Sequence, residues 1–481
     1  MAVRSRKKKS IVDTGILNAD QRESFERLRD FITDPDDDSV YVLKGWAGTG
    51  KTFCISVLVR YVLDVIHPTH AWYKIAVTGP TNKSVRVIKK TSGLKNPRVT
   101  FQTIHKLLGL TEKITMDGQQ VFVNQDSNFK PQITQMRLLI IDEVSMLNDD
   151  LFHDILAYRG RLKIICMGDP AQIPPVGKPD CIPFREELAD AYGIKTIQLK
   201  KIMRQKEGNS IIDASVKIRK NLESEVNPIE PVSHLNESGE GVEFLNLNSS
   251  DVRNNFPFIL AQYFRSDKFK DDSEYCKIIA WRNKTVSSMN SLARRIIFGE
   301  EMCSKKILVG EKLIANSPII IHDNLVLFNT NDEFSVVRTE IKEKKFHLNE
   351  FTPPLEAKIK YYDTTVSYIN DQDEVEKSDI EIIHEDSEVE YQKIALLLKN
   401  RAIEKGGKDR SWISYYKFIR IFADVSFGYS ITAHKAQGST YDTTFVLEDD
   451  IDMNLNVVER NRIKYTAYTR SSRKVYVLKR F

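Results

Sequence analysis

Gly45, Gly50, Lys51 and Thr52 follow the spacing G-x-x-x-x-G-K-T in the run VYVLKGWAGTGKTFC, residues 40–54. An apolar stretch precedes the glycines, and Ile55, Leu58, Val59, Val62, Leu63 and Ile66 follow at helical spacing, so strand, loop and helix are expected in succession. The glycines let the backbone N–H groups of Ala47, Gly48, Thr49 and Gly50 curl around a polyphosphate at a helix N-terminus. Lys51 would bring a mobile positive charge to the β- and γ-phosphates, and Thr52 a hydroxyl to Mg²⁺. A glycine-rich turn that binds nothing is disfavoured in this context. The expected ligand is ATP with Mg²⁺, and hydrolysis is the expected reaction.

Two further groups suit that chemistry. Residues 137–143, RLLIIDE, end an apolar run in paired carboxylates. A phosphate-loop site needs one carboxylate for the Mg²⁺ shell and a neighbour to polarise the attacking water; Asp142 fits the first role and Glu143 the second. The competing reading is two acidic residues stabilised by a helix dipole. In Gly168-Asp169-Pro170-Ala171-Gln172, the amide of Gln172 stands where it can sense a γ-phosphate or orient water.

The elements that must position these side chains are legible as near-continuous apolar runs ending in polar residues, at 40–43, 73–78, 137–142 and 161–169. Such runs are strands buried on both faces of a parallel sheet, with chemistry at their C-terminal ends. The fold class is α/β, a doubly wound nucleotide-binding domain. Ahead of it, Phe25, Leu28 and Phe31 mark a short amphipathic helix; Gln21 in it is either a surface residue or an adenine reader, and spacing leaves both open. A second doubly wound domain is expected from about residue 199, with strands at 241–247, 276–281, 443–447 and 474–478. Residues 301–420 interrupt it with short strands at 307–314, 324–328 and 334–338, and a pair within 351–368 broken at Pro353-Pro354. Ten acidic residues and one lysine between 371 and 390 read as a solvated connector. An apolar-aromatic helix is expected at 412–422.

The chain of 481 residues is long for one core, so several domains are expected. Arg4, Arg6, Lys7, Lys8 and Lys9 account for the whole net charge of +5, so net charge is silent about partners. This basic tail is an electrostatic arm for a polyanion or a solvated end. No apolar run approaches a membrane span and no signal peptide is read, so a cytoplasmic protein without a membrane partner is expected. Five cysteines without a C-x-x-C pair argue against a disulfide framework and a cysteine zinc site.

The phosphate loop, Asp142-Glu143-Val-Ser-Met, Gly168-Asp169-Pro-Ala-Gln172-Ile-Pro-Pro, Thr432-Ala-His434-Lys435-Ala-Gln437-Gly438 and Tyr468-Thr469-Arg470 occur in the order found in superfamily 1 helicases. From about residue 21 to the C-terminus the chain resembles the RecD-like branch, superfamily 1B, and within it the phage Dda-type DNA helicases. The resemblance implies two RecA-like domains, a β-hairpin insertion in the first and a small SH3-like β insertion in the second. The implied segments are a flexible tail at 1–15, a first domain at 16–198 with the hairpin at about 109–131, a second domain at 199–300 plus 421–481, and the insertion at 301–420. It implies that Gln21 contacts adenine, that Gln172 senses the γ-phosphate, that Gly438 belongs to the nucleotide site, and that Arg204 and Arg470 close on the γ-phosphate. A guanidinium supplied in cis is worth roughly 10³–10⁵ in rate. It further implies DNA contacts at Pro80, Thr81, Asn82, Thr103, His105, Asn283, Thr432 and His434; the segment Trp281-Arg282-Asn283-Lys284 around Asn283 either meets the single strand or merely caps its own core with the tryptophan. Trp46 departs from the family pattern, where a smaller residue often stands.

Residues 114–123, ITMDGQQVFV, are a hairpin candidate with Asp117-Gly118 at the turn. Helicases of this type place a duplex-splitting element there. Phe122 is then either a wedge stacked on a base at the fork or an ordinary hydrophobic contact. The resulting expectation is a monomeric, ATP-dependent DNA helicase that translocates 5′→3′ on single-stranded DNA and unwinds forked DNA, in phage replication or recombination in the host cytoplasm. A single-strand-binding protein or other replication proteins are expected partners. The alternatives are an ATPase, stimulated by single-stranded DNA, that displaces bound proteins without processive unwinding, and a P-loop ATPase acting on protein.

Overall fold

Strand β1, Val40–Gly45, sends alternate side chains to opposite faces. Val40 and Val42 enter one apolar cluster, while Tyr41 and Leu43 enter another. The same division recurs in β2 (Lys74–Gly79), with Ala76 opposite Ile75 and Val77. After β3 (Val99–Thr103) and the strands β4 (Leu110–Ile114) and β5 (Gln120–Asn124), it returns in β6 (Met136–Ile141) and β7 (Lys163–Gly168). Burying a Val or Leu side chain stabilises by about 1.5–3 kcal/mol, so strands with two apolar faces settle only between two helical layers. With β8 (Ile194–Leu199), the sheet order is β3-β2-β6-β7-β1-β8, and all its pairings are parallel. The C-terminal ends of β1, β7 and β6 therefore lie side by side.

The computed structural model describes residues 12–115, 120–124, 130–175, 177–178, 180–203, 209–321, 325–349, 351, 353–370, 374–406 and 411–481. They form two units: residues 1–111 with 124–212, and residues 112–123 with 213–481. The first unit begins earlier and ends later than the segments expected from sequence. Val12 and Leu17 pack into its core, which shortens the expected tail of residues 1–15. Beyond β8 it continues past residue 198, because the amides of Lys200 and Lys201 both donate to Asp20 Oδ2 (3.0 and 3.0 Å). The strands β4 and β5 pair with each other in a separate two-stranded sheet. They extend to either side of the expected hairpin, whose turn at Asp117-Gly118 lies outside the described residues.

In the second unit, β9 (His234–Leu235), β10 (Gly241–Asn246) and β11 (Cys276–Ala280) precede the insertion. The insertion carries β12 (Lys312–Ala315), β13 (Ile319–Ile321), β14 (Leu325–Phe328), β15 (Glu333–Leu348), β16 (Leu355–Ile369), β17 (Val375–Ile383) and β18 (Val425–Phe427). The chain then returns through β19 (Ser430–Thr432), β20 (Tyr441–Leu447) and β21 (Ser471–Lys479). The second sheet runs β19-β11-β20-β21-β10-β9, parallel except for the β9 edge.

The insertion differs from its sequence reading in two places. Residues 351–368 do not hold a strand pair: Pro353-Pro354 stands in the turn between the paired strands β15 and β16, outside the ladder where proline cannot donate, and 355–369 is one strand. The acidic run is no connector. Residues 375–383 form β17, which buries Ile380 and Ile382 and turns Asp379 and Glu381 outward, so the apolar alternation outweighs the charge. Strands β17-β16-β15-β12-β18 form one antiparallel sheet, and the Ala423 amide donates to the Glu381 carbonyl (2.7 Å), curling its base towards closure as in a small barrel. Beyond that base, β15 to β17 extend as a ribbon whose apolar face is covered by the helices Glu385–Glu404 and Ser411–Ile419.

Two desolvated ion pairs fasten the insertion to the second sheet. Lys277 on β11, fully buried, donates to Glu333 Oε2 (2.9 Å) and to the Gly428 carbonyl (2.7 Å). Arg294, on the helix Asn283–Phe298, grips Glu311 with two bonds (2.8 and 3.0 Å) and donates to the carbonyls of Lys305 and Lys306. Burial pushes the Glu311 carboxyl upward in pKa, while Arg294 and Tyr429 oppose that rise. Removing one partner of such a pair costs about 3–5 kcal/mol, because the other charge is left buried alone. Arg294→Met should therefore lower the melting temperature of the chain markedly, and the double variant Arg294→Met/Glu311→Leu should recover most of the loss, as read by calorimetry.

Candidate nucleotide site and nucleic-acid contacts

The loop after β1 turns through Gly48 (φ 81°) and Gly50 (φ 79°) before the helix Lys51–Tyr61 begins. Only glycine adopts these angles without strain. Gly50 carries a second constraint: a Cβ there would stand 2.5 Å from Gln21 Nε2. Gln21 is buried, so the surface alternative falls. Its Nε2 donates to the Thr49 carbonyl (3.2 Å), its Oε1 accepts from the Asn18 amide (3.2 Å), and its own N–H donates to Asn18 Oδ1 (2.9 Å). This capping box ties the helix Ala19–Thr33 to the loop and leaves one N–H of the Gln21 amide for a ligand. Lys51 Nζ donates to the carbonyls of Gly45 (2.6 Å) and Trp46 (3.3 Å). The Met203 amide donates to the Gly48 carbonyl (2.7 Å), so the segment leading to residue 204 is bound to the loop itself. Arg204 lies outside the described residues.

Three groups meet this loop from the neighbouring strand ends. Asp142 follows β6, and burial, with the adjacent Glu143 charge, raises its pKa to about 7, while Lys51 works against the rise. Its Oδ1 accepts the Glu143 amide (2.8 Å). Glu143 itself has φ 49°, one of two positive values among the described non-glycine residues. Strain of that kind persists where the surroundings over-determine it, and it clusters at functional sites. Gln172 is buried and its Oε1 has no hydrogen-bond partner, an orphaned acceptor of the kind that calls for a ligand or water. The residue the sequence reading passed over is Asp169. Fully buried after β7, it accepts from the Ala47 amide (2.8 Å) and the Ala171 amide (3.0 Å), joining the phosphate loop to the segment that carries Gln172. Its place between Gly168 and Pro170, just after an apolar run, was the available signal.

The remaining candidates fall into two sets. In the first unit, Pro80, Thr81, Asn82, Thr103 and His105 are half-buried. Thr81 and Thr103 cap the helices Asn82–Ser92 and Ile104–Leu108, and burial lowers the pKa of His105. In the second unit, Thr432 caps the one-turn helix Ala433–Ala436, burial lowers the pKa of His434, and Gly438 has φ 72°. Arg470 is buried, donating to the Thr466 carbonyl (3.1 Å), the Ser439 carbonyl (3.2 Å) and Thr469 Oγ1 (3.2 Å). Asn283 is exposed at a helix start. The side chain of Phe122, on β5, lies outside the described residues.

Comparison with known proteins fits this geometry. Residues 16–240 match the model of an AAA domain, and residues 427–478 that of a UvrD-like helicase C-terminal domain. The ATP-dependent DNA helicase dda of Enterobacteria phage T4 is 25% identical across 84% of this chain and 86% of its own length. The RecBCD enzyme subunit RecD of Buchnera aphidicola is 24% identical across 91% of this chain and 70% of its own. With these two domains and these relatives, the chain is similar to the superfamily 1B helicases. An uncharacterised protein of Acanthamoeba polyphaga mimivirus is 27% identical over 96% of this chain and 99% of its own. A solved Pif1 helicase from Bacteroides, 18% identical, overlays with a TM-score of 0.45 across 94% of this chain and 91% of that one.

The donor set fits a Mg²⁺–nucleotide: loop amides and Lys51 for phosphate, the Thr52 hydroxyl and Asp142 for the metal, and an unpaired Gln172 acceptor on the segment that Asp169 ties to the loop. Bound Mg²⁺ would neutralise charge on the phosphate oxygens. The raised Asp142 pKa gives a signed expectation. Between the ordinary carboxylate value and about 7, the native chain holds a proton that the unfolded chain releases, so this group's contribution to stability falls as pH rises through that window. Melting in chelator should show Asp142→Asn more stable than the unaltered protein at pH 8, with the two converging near pH 4.

Proposed function

We propose that this chain is an ATP-dependent DNA helicase that moves 5′→3′ along single-stranded DNA and separates duplex strands. The observation that supports the reading is the electrostatic coupling of Asp142 to Lys51, together with the Asp169 bond that ties the segment carrying the unpaired Gln172 amide oxygen to the phosphate loop. In this reading Lys51 exchanges its two carbonyl partners for phosphate oxygens, Thr52 and Asp142 hold Mg²⁺, and Glu143 accepts the proton of the attacking water. Gln172 reports the γ-phosphate. Arg204 and Arg470 neutralise transition-state charge, and Gln21 and Gly438 complete the nucleotide contacts. Three of the five N–H groups of Arg470 are engaged within its own unit, which leaves two for that task.

Single-stranded and forked DNA are the substrates, bound mainly through phosphates and stacking and so with little sequence preference. Pro80, Thr81, Asn82, Thr103, His105, Asn283, Thr432 and His434 supply contacts, and Phe122 is the wedge at the fork. The phage helicase dda and the viral relative support a viral setting, and in this reading the chain acts as a monomer in replication or recombination in the host cytoplasm. Polarity rests on the likeness to the RecD-like branch.

Glu143→Gln should keep ATP binding while DNA-stimulated hydrolysis falls by about 10²–10⁴-fold, whereas Lys51→Ala should lose both; unchanged turnover in Glu143→Gln would remove the proposed base. Forks with a single 5′ or 3′ tail read polarity, and preferential unwinding from the 3′ tail would overturn it. Phe122→Ala should retain ATPase and translocation but lose unwinding. Parallel losses, with a lower melting temperature, would make Phe122 a packing residue instead.

A further inference from the structure

A cavity of about 270 Å³ opens where the insertion leaves and rejoins the second sheet. Its floor is apolar: Phe264, Phe269 and Ile297 come from helices of the second unit, and Tyr429 from the segment just before β19. The rings pack on one another, Phe264 standing edge-on to Phe269 and to Tyr429 with centroids 4.9 and 5.9 Å apart, so the floor is already built. The rim is cationic. Arg265, Lys270 and Lys312 line it, and among the described residues no carboxylate does. Arg265 is exposed and donates from Nε to the Ile296 carbonyl (2.6 Å), with no partner for its terminal nitrogens among the described residues. Lys270 is exposed and paired with Asp267 (2.7 Å), and its carbonyl accepts from Lys312 Nζ (2.9 Å).

Lys312 decides the charge of the ligand. Half-buried on β12, it has no carboxylate within ion-pair distance among the described residues. Burial and the neighbouring Lys277 charge lower its pKa, while Glu333, Asp272 and Asp271 oppose that from farther off. An ammonium taken partly out of water is costly to keep without an anion beside it. The Lys270 carbonyl takes one of its three hydrogens, which leaves two donors.

We propose that this cavity binds a small phosphomonoester with an apolar body, the phosphate held at the rim by Lys312 and Arg265 and the body resting on the aromatic floor. A planar guanidinium fork and an ammonium together suit phosphate oxygens. The volume lies at the small end of ligand cavities, so it admits a single ring and excludes a dinucleotide or a peptide. Arg265 ends a helix packed on the second sheet, whereas Lys312 belongs to the insertion, so the ligand bridges the two and braces the root of the insertion. The inference stands apart from the helicase reading, since it needs neither ATP nor DNA.

The probe is phenyl phosphate, titrated into the full chain by calorimetry, with hydrogen exchange locating the contact. Binding should slow exchange at residues 310–315 several-fold, leave residues 45–52 unchanged, and persist in Lys51→Ala, whose phosphate loop is disabled. Lys312→Gln and Arg265→Gln should each weaken binding on the order of tenfold; Arg265 is a surface residue, so its variant tests the rim even if Lys312→Gln folds poorly. Inorganic phosphate, which lacks the ring, should bind about tenfold more weakly, and neutral benzyl alcohol not measurably. No measurable binding of phenyl phosphate, loss of binding in Lys51→Ala, or protection confined to residues 45–52 would overturn the site. Unchanged affinity in Arg265→Gln and Lys312→Gln would overturn the cationic rim, and equal affinity for inorganic phosphate the apolar floor. Binding without protection at residues 310–315 would overturn the bracing of the insertion.

Discussion

One desolvated carboxylate holds the nucleotide site in shape. Asp169 has no contact with solvent, and the amides of Ala47 and Ala171 are among the groups that stabilise its oxygens. In a low-dielectric interior such charge-assisted bonds are strong, and losing either would strand a buried lone pair at a cost of about 1–3 kcal/mol. The geometry works only because β7 and β1 are neighbours in parallel register, with Leu43 beside Met167 and Lys44 beside Gly168. The sheet order thus sets the loop, the loop sets where the helix Lys51–Tyr61 begins, and Gln21 and Met203 close it from two other segments.

The parts of this arrangement that were legible in the sequence are those written in one continuous stretch. The glycine spacing, the four apolar strands and the paired carboxylates each need only local information, and Asp142 lies within electrostatic reach of Lys51. What escaped was relational. The strands β3 and β8 are short and mixed in polarity, VTFQT and IKTIQL, because they flank the sheet instead of filling its centre. Asp169 looked like one letter of a motif until its amide partner Ala47, 122 residues away, came into view. The strand β17 was misread because charge density was weighed above the alternation of Ile380 and Ile382. Gln21 was left open by spacing, and its burial against Thr49 could not be seen without the fold.

The second unit solves a different problem, which is how to fix helices that carry charged side chains at their ends. Glu448 is fully buried, and burial alone would raise its pKa. Lys464, Lys479 and Tyr468 more than offset that, with bonds of 3.2, 2.6 and 2.5 Å, and Asn227 adds another at 2.7 Å. The helix Val457–Tyr468, whose C-terminal end leads into Thr469 and Arg470, is therefore locked to β20 and β21 by charge as well as by apolar packing. A buried network of this kind tolerates no half-measures, since each member is the solvent of the others.

The insertion bears on mechanics as well as stability. A 16-residue strand such as β15 spans about 50 Å at roughly 3.3 Å per residue. Its base is gripped by Lys277 and, ahead of β12, the chain is held by the Arg294–Glu311 pair, while its far end is stiffened by pairing with β16 and by the helices laid over it. That makes it a cantilever with a clamped root: tilting the clamp by about 5° would carry the free end through roughly 4 Å, more than the rise of one residue along the strand.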